Sequence, residues 1–105
     1  MMAAFVKTCD RYAAFLYPNG KSEGRINLYC ADGYKLYLIF SAGTTFPTND
    51  YGVATKTGVA YENIDRYSDY LDMVRNEKPV RVTFNPENKS FVVYVSGEEV
   101  GEGEI

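Results

Sequence analysis

Between Arg25 and Phe40 the chain reads Arg-Ile-Asn-Leu-Tyr-Cys-Ala-Asp-Gly-Tyr-Lys-Leu-Tyr-Leu-Ile-Phe. Two alternating runs flanking an Asp-Gly are a strong short-range signal for a β-hairpin. Ile26, Leu28 and Cys30 share one face of the first strand. Tyr34, Leu36, Leu38 and Phe40 share one face of the second. To share a core, the two sets must share a face of the sheet. A two-residue Asp32-Gly33 turn sets Asn27 beside Leu38 and Arg25 beside Phe40, and a one-residue slip of this kind turns every side chain to the wrong face. A three-residue loop, Ala31-Asp32-Gly33, instead pairs Cys30 with Tyr34, Leu28 with Leu36 and Ile26 with Leu38. Gly33 then takes the left-handed bulge position, where lacking a Cβ costs nothing.

The 105 residues suffice for one domain with its own core. Ten Tyr, six Phe and no Trp favour strands and half-wet surfaces. No apolar run approaches the roughly 18 residues that a membrane span needs, and the start, Met1 to Lys7, is too short in apolar residues for a signal peptide. The expectation is a soluble cytoplasmic protein without membrane contact. With no His in the chain, Ser-His and Cys-His catalysis and most transition-metal sites are excluded. The two cysteines, Cys9 and Cys30, lack metal-ligand spacing. Cys30 reads as a buried, inert thiol on the core face, with a Cys9–Cys30 bridge as the alternative. Neither a metal nor another cofactor is expected.

The net charge of −3 is unevenly placed. Residues 98–105 hold four Glu and no base, so residues 1–97 carry the 11 bases against 10 acids. The expected organisation is one β-rich domain over 1–97 and an acidic, flexible tail over 98–105. The tail is similar in charge to the acidic C-terminal tails of bacterial and phage single-strand DNA-binding proteins. It lacks a docking sequence beyond Ile105, and a solvated extension is the simpler reading.

Arg11–Tyr17 reads as a first strand with a start as early as Phe5, ended by Pro18-Asn19-Gly20. Residues 42–62 are rich in turn formers. Their alternating Tyr51, Val53, Thr55, Thr57, Val59 and Tyr61 suggest an extra edge strand or hairpin bending at Lys56–Gly58. Asn63 caps a helix from Ile64 to about Glu77, whose buried stripe is Ile64, Tyr67, Leu71 and Val74 with Tyr70 beside it. A last hairpin aligns Val80, Val82 and Phe84 with Val95, Val93 and Phe91 around the loop Pro86–Lys89. The fold class is therefore mainly β, a barrel or strongly curved sheet with one helix. The order, three strands, an insertion, a helix and two strands, resembles that of the OB-fold over residues 11–96. The resemblance is one of element order and rests on no family motif.

The outward face of the central hairpin is the leading candidate site. Arg25, Asn27 and Tyr29 point out from one strand, and Lys35, Tyr37 and Ile39 from the other. This is a basic, aromatic platform without an acid, extended by Arg11, Phe15 or Lys56. The OB-fold resemblance implies oligonucleotide binding on this region, where rings stack bases and cations follow phosphates. The competing reading is an ordinary solvated strand face. On the helix, Asp65, Asp69 and Asp72 lie opposite the buried stripe as a solvated face. Gly52–Gly58 contains Lys-Thr but not the phosphate-loop spacing. The expected function is non-enzymatic, most simply single-stranded nucleic-acid binding. The alternatives are an accessory protein that binds a protein partner or itself, and a small-molecule domain with a pocket under 42–62.

Overall fold

The computed structural model describes residues 3–18, 23–76 and 79–95. Among these residues, seven strands form one curled sheet, a half-barrel with a single helix. They are β1 (Phe5–Leu16), β2 (Gly24–Cys30), β3 (Lys35–Ser41), β4 (Asp50–Gly52), β5 (Thr57–Asn63), β6 (Val80–Asn85) and β7 (Ser90–Val95). Their spatial order is β4-β5-β3-β2-β1-β6-β7. The helix α1 (Tyr67–Asn76) follows a 3-10 turn, Ile64–Arg66, between β5 and β6. The fold is mainly β, in the expected element order.

The central hairpin has the three-residue loop. Leu28 pairs with Leu36 and Ile26 with Leu38, the Cys30 N–H donates to the Tyr34 carbonyl at 2.8 Å, and Gly33 has φ 82°. Ile26, Leu28, Leu36, Leu38 and Phe40 are buried on the concave face. Val80, Val82 and Phe84 join them from β6, which pairs with β7 in the register Val80–Val95, Val82–Val93 and Phe84–Phe91. Asn63 caps the helical segment, its Oδ1 accepting from the Asp65 N–H at 2.8 Å. Helix α1 covers one end of the half-barrel, with Tyr67 and Tyr70 edge-on to Phe40 at 5.1 and 5.6 Å. Gly24 permits this approach, because a Cβ there would meet the Tyr67 ring at 3.0 Å and the Phe15 carbonyl at 3.1 Å.

Two expectations need correcting. Cys9 and Cys30 are joined in a disulfide, so Cys30 is not a free thiol. The cause is a β-bulge at Asp10: beyond it Arg11 pairs with Tyr29, while before it Cys9 pairs with Cys30. One extra residue turns Cys9, which strict alternation would point outward, onto the core face beside Cys30. No helix among the described residues is long and apolar enough to cross a membrane.

The second correction concerns residues 42–62. They do form a hairpin, but the bend is at 53–56, and β5 is interior, lying between β4 and β3 and parallel to β3. The shift of bend breaks the proposed single stripe. Tyr51 is buried opposite Gly58, so Gly58 and Ala60 face the core while Val59 and Tyr61 face outward. The parallel pairing follows from the return path. The chain leaves β3 at Ser41, turns back so that β4 runs opposite to β3, and reverses again at the β4–β5 turn, so that β5 runs in the direction of β3 and ends with Asn63 Nδ2 donating to the Gly43 carbonyl at 2.7 Å. The acidic tail lies outside the described residues, as does the Asn19-Gly20 of the first turn.

Burial raises the phenol pKa of Tyr51 and Tyr67, and of Tyr70, where the nearby Glu62 carboxylate adds to the effect. Unfolded tyrosines ionise near pH 10. Above that value the unfolded chain releases protons that the folded chain retains. The stabilisation is therefore complete below about pH 10 and is lost as pH rises through the raised folded values. Thermal melts should give a flat Tm up to about pH 9 and a fall above about pH 10. A Tm that holds steady through that rise would count against buried, protonated phenols.

Candidate nucleic-acid interface

The outward face of the sheet is built by register. Three cross-strand rows run over β1, β2, β3 and β5: Arg11–Tyr29–Lys35–Thr57, Ala13–Asn27–Tyr37–Val59 and Phe15–Arg25–Ile39–Tyr61. The five central candidates, Arg25, Asn27, Tyr29, Lys35 and Tyr37, do share this face, and β1 adds Arg11 and Phe15. None of these row positions is acidic. Asp50 follows Val59 on the edge strand β4, and there it is ion-paired with Lys89 at 3.5 Å.

The face is more closed than an open platform. The Arg25 guanidinium stands between two rings, 5.3 Å from the Phe15 centroid and 5.2 Å from that of Tyr37. Arg11 lies 5.1 Å from the Tyr29 ring. Each such contact places a cation against the negative face of an aromatic quadrupole. These groups surround Asn27, which is only 3% exposed. Its Nδ2 donates to Tyr29 Oη at 3.1 Å. Among the described residues, Asn27 Oδ1 and Arg25 Nε are buried with no hydrogen-bond partner. Unpaired buried polar atoms cost about 1–3 kcal/mol each, so this face carries an acceptor and a donor whose demand the described residues leave unmet.

Two expected members lie elsewhere. Lys35 belongs to the outward row, but its ammonium bends to the turn end, donating to the Gly33 and Thr55 carbonyls at 3.3 and 3.5 Å. Lys56 lies off the platform at the hairpin tip, donating to the Asp32 carbonyl at 3.0 Å and standing 5.2 Å from the Tyr34 ring. Lys7 joins it there through a 2.7 Å bond to Asp32 Oδ2, which holds the Asp32 carboxyl below its usual range. The contributions of Thr57, Val59 and Tyr61 went unforeseen. Their alternation was visible, but their side of the sheet depends on the position of the bend.

A crevice of about 410 Å³ lies where β1 parts from β6, lined by Cys9, Tyr12, Leu28, Val74 and Val80 with Arg11 and Arg75 at its rim. None of its lining residues comes from 42–62. Among the described residues no three His, Cys, Asp or Glu side chains gather as metal ligands. No protein-family model, curated protein or solved structure matches this chain.

Proposed function

We propose that the protein is a non-enzymatic binding module that engages single-stranded nucleic acid through the outward face of β2 and β3, extended by Arg11 and Phe15 of β1. The carrying observation is the set of outward rows over β1, β2, β3 and β5, none of whose positions is acidic, in which Arg11 and Arg25 interleave with Phe15, Tyr29 and Tyr37, with Asp10 and Asp50 only at the margins. Bases stack on rings and on guanidinium planes alike, while the positive charges follow the phosphates. Asn27 Oδ1 and Arg25 Nε offer an acceptor and a donor beneath that layer, available once a base displaces the covering groups.

Tyr29→Ala and Tyr37→Ala should each weaken binding of a labelled oligo-dT by about 1–3 kcal/mol if each ring stacks one base. Circular dichroism should be unchanged, since both rings lie outside the concave core. Lys35→Ala should cost less, because its ammonium is held at the turn end by the Gly33 and Thr55 carbonyls, and what effect its charge has on the phosphates should shrink as salt rises. The measurement is a fluorescence titration at two salt concentrations. If the wild-type chain shows no binding at low salt, the nucleic-acid reading fails and a protein partner takes its place.

A further inference from the structure

Among the described residues, β1 is a strand edge beyond its bulge. Strand β6 pairs with β1 only from Phe5 to Cys9. From Arg11 to Leu16 the pairing among the described residues is with β2 alone. The Tyr17 N–H donates to the Glu23 carbonyl at 2.9 Å, in step with the Phe15–Arg25, Ala13–Asn27 and Arg11–Tyr29 pairs. Residues of odd number therefore direct their N–H and C=O groups to β2. Tyr12, Ala14 and Leu16 direct theirs away from it.

The side chains of this edge fit a covered strand. Tyr12 to Tyr17 reads Tyr-Ala-Ala-Phe-Leu-Tyr, apolar at every position. Continuous apolar runs belong to strands buried on both faces. Here Tyr12 is 39% exposed, Phe15 37% and Leu16 66%. Within Tyr12–Tyr17 there is no charge, proline or bulge, the devices by which sheet edges avoid further pairing; they stand only at its ends, as the bulge at Asp10, Arg11 and Pro18.

We infer that the edge Arg11–Tyr17 pairs with the same edge of a second copy of this chain, antiparallel about a two-fold axis at Ala14. The occupant is chosen by self-complementarity. With Ala14 opposite its own copy, Tyr12 faces Leu16, Ala13 faces Phe15 and Arg11 faces Tyr17. Small residues meet large ones, the cation meets a ring, and no like charges are opposed. An isologous contact requires that one patch satisfy itself in this way. The outward-directed N–H and C=O groups of Tyr12, Ala14 and Leu16 become ladder bonds. The sheets of two copies become continuous, which also brings the two outward faces together across the axis. This inference rests on β1 alone and stands whether or not those faces bind nucleic acid.

The test is light scattering on the full chain after size-exclusion chromatography, over a range of concentrations. The expected mass is twice 11.8 kDa, falling twofold on dilution. Ala14→Lys sets two ammonium groups against each other, and Leu16→Lys removes the contact to Tyr12. Both should be monomers with an unchanged dichroism spectrum. Val92→Lys, at an exposed apolar residue of β7, should remain a dimer. A monomer at every concentration overturns the inference and leaves the edge to an unrelated extended segment. A dimer that persists in both folded lysine variants of β1 overturns it equally.

Discussion

Leu36→Asp unfolds the domain. Leu36 is fully buried on the concave face, between Leu28 of β2 and Gly58 of β5. A Cβ on Gly58 would already stand 3.1 Å from a Leu36 methyl, so there is no room for water to accompany a carboxylate. No cation among the described residues pairs with this position. An unpaired buried charge costs several kcal/mol, and the lost leucine burial adds about 1.5–3 kcal/mol. Total stabilities of about 5–15 kcal/mol leave little after that loss. Circular dichroism should show the strand signal gone at 25 °C, or a midpoint moved far down in urea. A folded, cooperative variant would place Leu36 on the opposite face and move the hairpin register by one residue.

Phe84→Ala should be the next most damaging change, costing about 3–5 kcal/mol. Phe84 is fully buried and is the centre of a cluster of rings. It stacks on Phe5 at 5.2 Å and meets Tyr34 at 5.7 Å, Phe91 at 5.8 Å and Tyr51 at 6.1 Å. These rings come from β1, β4, β7 and the end of the central hairpin, so removing their centre loosens both edges of the half-barrel together. Truncation leaves a cavity that the surrounding β-ladders hold open. Each aromatic pair is worth about 0.5–1.5 kcal/mol beyond its buried area. Val92→Ala, on β7, separated from the central hairpin by β1 and β6, and exposed, is the control and should stay within about 0.5 kcal/mol of wild type. Urea denaturation of the two variants compares them directly. Similar midpoints would mean that the ring cluster contributes little.

The candidate face was legible as a set of residues and illegible as an arrangement. Arg25, Asn27, Tyr29, Lys35 and Tyr37 follow from alternation once the hairpin register is known. Alternation says which way a side chain leaves the backbone. It does not say that Arg25 comes to rest between Phe15 and Tyr37, or that Asn27 ends 3% exposed beneath them. Those outcomes depend on neighbours brought in by β1 and β5, from distant parts of the chain.

Local chemistry determined what lies close in sequence. The Ala31–Gly33 loop, the Asn63 cap, the helix stripe and the Val80–Val95 register are all consequences of turn preference, capping and periodicity within about twenty residues of chain. Only the tertiary structure decided where a single backbone step changes parity across a long gap. The bulge at Asp10 turned Cys9 inward to meet Cys30, across 21 residues. The bend at 53–56 put Val59 and Tyr61 outside and Gly58 beneath Phe91. In a sheet the side-chain period is two, so one extra residue reverses every assignment beyond it. Whether that residue is accommodated depends on the packing of strands that the local sequence does not contain.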